Sequence, residues 1–139
     1  MQSRYTISIL ILIFITLSIF YSSNIRNKDL NIIFADTEAL REKGLSGMES
    51  LADNTIMFFT FERPGKYSFW MKDMKFPIDI IWLDENYNII HMENNIYPNT
   101  FPKTFYSKTD SLYVIEGNID FIEKNKLRIG ITFNPTLYK

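Results

Sequence analysis

Apolar and polar positions divide the chain into one unbroken hydrophobic run and a series of short segments. The run is Ile7 to Tyr21, ISILILIFITLSIFY, interrupted only by Ser8, Thr16 and Ser18 and carrying no charge. Extended over Tyr5 to Ser23, it is long enough for a helix to cross about 30 Å of hydrocarbon. It lacks the period-two alternation that would give a strand a wet face, so a buried element of the domain is the weaker reading. Tyr21-Ser22-Ser23-Asn24 is a poor small-x-small cleavage site. The expectation is an uncleaved anchor over 1–23 and a polar linker over 24–29, with cleavage to a secreted protein as the alternative. Arg4 precedes the run and Arg26 and Lys28 follow it, so charge orients it only weakly. The domain is expected outside the cytoplasm.

From residue 30 to 139 the pattern is that of one globular domain. Leu30–Ala35 reads as a strand, and Thr37–Lys43 as a short helix that Thr37 can cap and Gly44 can stop. Ser46–Asn54 reads as a loop. Strands are predicted over Thr55–Phe61, Tyr67–Trp70 and Ile78–Leu83, separated by the Arg63-Pro64-Gly65-Lys66 turn and the charged turn Lys72–Lys75. Asp84–Asn88 is a turn, and Ile89–Met92 should return antiparallel to the preceding strand. Ile96–Asp110 is a long loop. Ser111–Glu116 reads as a strand, Ile119–Asn125 as a short helix, and Leu127–Phe133 as a last strand bent at Gly130. Many short strands without a βαβ rhythm argue for a mainly β fold, a compact antiparallel sandwich or barrel.

Composition narrows the chemistry. Fifteen basic and sixteen acidic residues leave a net charge of −1, so no basic excess is present to neutralise nucleic-acid phosphates. Cysteine is absent, which removes disulfides, thiolate metal sites and cysteine nucleophiles. His91 is the one histidine, which removes multi-histidine metal sites. No phosphate-cradling glycine loop is present, and Tyr106-Ser107-Lys108 has no nucleophile-elbow pattern. No cofactor and no metal are expected.

The series Thr37, Arg41, Gly44-Leu45, Met57-Phe58-Phe59, Pro64-Gly65, Ser68-Phe69-Trp70-Met71-Lys72, Pro77-Ile78-Asp79-Ile80 and Leu83-Asp84 resembles the family called domain of unknown function 192. The resemblance covers nearly all of 30–133. It implies a compact sandwich or barrel of jelly-roll-like character with short helices, often in exported proteins, and it implies no activity. Where family members usually carry Gly-Leu-Met, this chain has Gly44-Leu45-Ser46. Met48 stands for a basic residue, Asp73 for an asparagine, and Ile56 and Lys126 for glycines. The first three departures touch the presumed cleft, and the last two suggest different turns.

Candidate binding residues are Arg41, Trp70, Lys72, Asp73, Asp79 and Glu93. Phe69 and Trp70 are adjacent on a strand, so one faces the core and the other can line a groove. Asp79 begins an apolar strand, on the face of Ile81 and Leu83 and opposite Ile78, Ile80 and Trp82. A carboxylate there is at a wet end or needs a partner, and Arg41 is the best donor on the chain. Lys72 and Asp73 are either a solvated turn or the mouth of a cleft, with Lys72 paired to Asp79 or Glu93. The leading expectation is a membrane-anchored domain binding a small molecule or cell-envelope component without catalysis. One alternative is an envelope hydrolase or lyase using Asp79, Glu93 and His91 for proton transfer, which requires all three in one cleft. The other is a protein-interaction module with an exposed aromatic patch. No nucleic-acid partner is expected, and nothing in the pattern assigns an oligomeric state.

Overall fold

The computed structural model describes residues 30–137. The expected anchor over 1–23 and linker over 24–29 lie outside the described residues. Among those described, no helix is long and apolar enough to cross a membrane. The described chain forms strands β1 (Asn31–Ala35), β2 (Thr55–Gly65), β3 (Ser68–Trp70), β4 (Ile78–Leu83), β5 (Ile89–Ile96), β6 (Thr104–Tyr106) and β7 (Ser111–Asn118). Two short helices are α1 (Glu38–Lys43) and α2 (Phe121–Lys124), and single 3-10 turns follow β5 and close the described chain.

Five strands make one sheet in the order β1-β2-β7-β4-β5, while β3 and β6 form a separate ribbon. β1 runs parallel to β2, and the remaining pairs are antiparallel. The expected antiparallel sandwich or barrel is therefore corrected to an open mixed sheet with a two-stranded ribbon, and no barrel closes. The parallel pair has a physical cause. Parallel neighbours need a crossover of about a dozen residues or more, and α1 with the loop to Asn54 supplies it. The sequence showed these elements but not their role as a crossover, because α1 buries none of its residues against the sheet. Its ends are as the sequence predicts: Thr37 Oγ1 accepts the Leu40 N–H at 3.3 Å, and the Gly44 N–H donates to the Leu40 carbonyl at 2.9 Å.

The sheet separates two cores. Met57, Phe59, Ile80, Trp82 and Val114 face one side, where Phe69 and Phe105 of the ribbon cover them together with Met71 and Leu45. Ile56, Phe58, Ile81, Leu83 and Ile115 face the other, under Phe121, Leu127 and Phe133. Every residue of β4 is buried, as expected of an inner strand covered on both faces. Trp82 is fully buried, and its indole N–H donates to the Tyr67 carbonyl at 3.0 Å. Removing ~150–250 Å² of such a ring from water is worth roughly 4–6 kcal/mol. Phe69 meets Phe59 and Trp82 edge-on at 4.9 and 5.9 Å. Phe69 is thus the inward ring of its pair, and Trp70 stays 48% exposed.

Three predicted segments differ. β2 continues to Gly65, through most of the expected Arg63-Pro64-Gly65-Lys66 turn. The loop Ile96–Asp110 contains β6, which pairs with β3 through Phe69 and Phe105. Leu127–Phe133 is not a strand. Gly130 takes φ +88, and the segment meets its neighbour only through separate bonds such as Gly130 N–H to the Ile89 carbonyl and Phe133 N–H to the Tyr87 carbonyl. A left-handed residue in mid-segment interrupts the alternation a ladder requires.

Candidate functional site

A cleft of about 500 Å³ opens between α1, β2 and β3 with the turn that joins the two strands. Gly44 to Ser46 form one side, Phe59 and Phe61 of β2 the back, and Tyr67, Phe69 and Trp70 the other side. Phe61 and Tyr67 are stacked at 3.4 Å with an interplanar angle of 8°. Gly65 permits this, because a Cβ there would lie 3.1 Å from the Tyr67 ring.

Glu116 reaches the same cleft from β7. Its strand neighbours in register are Met57 and Ile80, both buried. Alternation therefore delivers a carboxyl into a mostly apolar layer, where only 4% of the residue is exposed. The Leu45 backbone N–H donates to it. Its Oε2 has no hydrogen-bond partner among the described residues, and it would lie 3.5 Å from a Cβ placed on Gly44. Burial pushes the Glu116 carboxyl up to about 8, against the smaller opposing pull of the Leu45 amide. A buried acid without a cation is more stable holding its proton. Glu116 is thus neutral at moderately acid pH and can donate a proton or accept a charged partner.

The predicted residues divide. Arg41 and Trp70 line the cleft. Arg41 Nη1 donates to the Asp36 and Thr60 carbonyls at 2.8 and 3.0 Å, and its guanidinium lies 5.4 Å from the Phe61 ring centre. It ties α1 to β2 and forms part of the wall. Lys72 and Asp73 have exposed side chains in the adjoining turn and act through their backbone. The Lys72 carbonyl accepts from Ser46 Oγ at 2.8 Å, and the Asp73 carbonyl from the Gly47 N–H at 2.9 Å.

Asp79 does not meet Arg41 or Lys72. It lies opposite Gly117 in register, on the sheet face away from Glu116. There Oδ1 accepts the Asn95 N–H and Oδ2 the Ile122 N–H. Its pKa is raised: burial outweighs those donors, and the nearby Asp120 charge adds to it. Beside it is a cavity of about 30 Å³, room for a water. His91 and Glu93 are joined at 3.2 Å on β5, an edge strand. They pair in register with Trp82 and Ile80, so they share the face opposite Asp79. The proposed proton-transfer set Asp79, Glu93 and His91 is therefore not assembled in one cleft. Among the described residues, no three acidic or histidine side chains are grouped to hold a metal.

Sequence reasoning missed Glu116. Its signal was present: Val114 and Glu116 share a strand face, and the strand continues through Gly117 and Asn118. Ending the strand at Glu116 gave the carboxylate a wet position that it does not have.

Fold and site together define a small mixed-sheet domain with an aromatic, acid-floored cleft on one face. The chain belongs to the DUF192 family, described as Uncharacterized ACR, whose profile matches residues 21–134. Comparison with curated proteins gives no match. Among solved structures, it is similar to a candidate transcription regulator from Sinorhizobium meliloti 1021, at 24% identity and a TM-score of 0.69, covering 73% of this chain and 78% of that one. It is also similar to a protein of unknown function from Novosphingobium aromaticivorans DSM 12444, at 25% identity and a TM-score of 0.68, covering 73% and 71%.

Proposed function

We propose that this protein is a binding domain for a small molecule, taken up in the cleft between α1, β2 and β3, and not a catalyst. The observation that carries the reading is the Glu116 carboxyl. It is buried in an inner strand, and one of its oxygens has no partner among the described residues, beside a concave aromatic surface. A buried polar atom left unpaired costs about 1–3 kcal/mol, so a ligand group that satisfies it gains that much on binding. The volume is within the ~300–1,000 Å³ common for small-molecule sites. The aromatic walls supply apolar area and Glu116 one oriented polar contact.

Anchoring through 1–23 and a location outside the cytoplasm belong to the same proposal, supported by the uncharged run Ile7–Tyr21. Protease added to intact cells should remove the domain, and full protection would reject that location. Regulation of transcription by direct DNA contact has little support here, because the chain lacks a basic excess.

A fragment screen on the full chain, read by amide chemical shifts, tests the cleft. Hits should move Gly44, Leu45, Ser46 and Trp70 together. Hits that gather instead around Asp79 and Asp120, or on the β5 edge, would reject it.

A further inference from the structure

Resting on that reading, we propose that the ligand is a small organic cation, an ammonium on a flat apolar body, whose charged group is received by Glu116. Three observations bear on the charge of the ligand.

The first is the acceptor. Glu116 Oε2 is buried at the cleft with no donor upon it among the described residues. Arg41, which lines the same cleft, directs Nη1 to two backbone carbonyls. The place of the missing cation is therefore open to one from outside.

The second is the wall. Aromatic faces attract cations through their ring quadrupoles, more strongly when water is excluded. Phe59, Phe61, Tyr67, Phe69 and Trp70 all border the cleft. One of these rings already has a cation over it, since the Arg41 guanidinium lies above Phe61.

The third is the charge around the mouth. α1 contributes Glu38 and Glu42 against Arg41 and Lys43, and the β2–β3 turn contributes Lys66 and Tyr67. Across β4, on the same sheet face, are His91 and Glu93 of β5, already joined to one another. The lining charges balance once Glu116 ionises, three basic against three acidic side chains, so the mouth does not repel a cation that binds the ionised form.

Binding is then an exchange of protons. The free protein holds Glu116 as the neutral acid. The ammonium enters with its charge, the carboxyl O–H breaks, and the proton leaves to solvent, so that one ammonium–carboxylate pair replaces one neutral carboxyl. Below about pH 8, affinity for a cation should rise about tenfold per pH unit and then level off. A neutral acceptor bound by the protonated acid would show no slope below about pH 8 and a fall in affinity above it.

The test is isothermal titration calorimetry of the full chain with 2-phenylethylammonium, 2-phenylethanol and 3-phenylpropanoate, each across neutral pH and in buffers of different ionisation enthalpy. The ammonium should bind tightest, with affinity rising with pH and close to one proton released below pH 8. Glu116→Gln should weaken the ammonium at least tenfold and abolish the pH slope. If that variant does not fold, the proton count on the unaltered protein decides alone. Tighter binding of the alcohol or the carboxylate, with affinity flat and no proton released below about pH 8, would overturn the cation assignment and leave the cleft as a ligand site. Binding by none of the three would also overturn the assignment, and the fragment screen would then judge the cleft separately.

Discussion

Asp79 caps a helix that it does not belong to: its Oδ2 accepts the Ile122 N–H at 2.9 Å, across 43 residues of chain. The residue at the start of α2, Asp120, makes no side-chain cap of its own. The first amides of a helix have no partner within it, and Asp79 supplies one from β4. Its other oxygen accepts the Asn95 N–H at 2.8 Å, at the end of β5. One carboxylate thus joins β4, β5 and α2. Asp79→Ala should leave two donors unsatisfied and cost about 2–4 kcal/mol. Urea denaturation should show a lower midpoint at unchanged slope. A loss below about 1 kcal/mol would mean that water replaces the carboxylate.

Glu116 should make stability depend on pH in the direction opposite to a salt-bridged acid. Its folded pKa, raised from 4.5 to about 8, lies above the unfolded value, so between those limits the folded state binds more protons. The slope of unfolding free energy with pH is then negative. The protein should be most stable below about pH 4.5 as far as this group is concerned, and should lose on the order of 5 kcal/mol by pH 8. Glu116→Gln, a neutral near-isostere, should remove that slope and equal or exceed the native chain in stability at pH 8. Denaturation midpoints of both proteins across this window check it, and parallel curves would contradict the burial-raised acid.

How far the sequence reaches is clearest in the contrast between these two carboxylates. Asp79 stood out because it begins an apolar strand after a proline, and its sheet face was read correctly from alternation. Its partners were not readable, since backbone amides of Asn95 and Ile122 leave no mark in residue type. Glu116 drew no attention because it ended its predicted strand. The short elements α1, β2, β4 and β7 were legible through capping residues and apolar runs. The parallel β1–β2 pair and the β3–β6 ribbon were not, because each depends on where a distant strand docks.

Lys126 stands where the family usually has glycine, and the structure shows what that glycine would do. Lys126 takes φ +53 just after α2, with its N–H on the Glu123 carbonyl and the Leu127 N–H on that of Ile122. This is the left-handed stop that ends many helices. A side chain with a Cβ occupies this turn at a cost of ~1–2 kcal/mol. Lys126→Gly should therefore stabilise the domain by about 0.5–1 kcal/mol, after the greater entropy of glycine in the unfolded chain is subtracted. Thermal unfolding should move upward by a few degrees. A fall would show that the Lys126 side chain contributes more than its backbone strain costs.

Gly117 should tolerate no side chain, for reasons of space and not of backbone angle. A Cβ there would lie 2.7 Å from Phe121 Cγ and 2.9 Å from Phe121 Cβ. Turning the ring relieves only the first of these, because Phe121 Cβ is fixed to α2. The helix would have to move, and α2 is held by the Asp79–Ile122 bond. Gly117→Ala should cost about 1–3 kcal/mol by overpacking. The cost has a definite source, so it should be conditional. In a Phe121→Gly background, which removes both Cγ and Cβ, the space is open, and the same substitution should cost less by more than about 1 kcal/mol. A double-mutant cycle from urea denaturation measures that difference directly. Additive costs would mean that Gly117 is required by its own strand and not by the helix packed upon it.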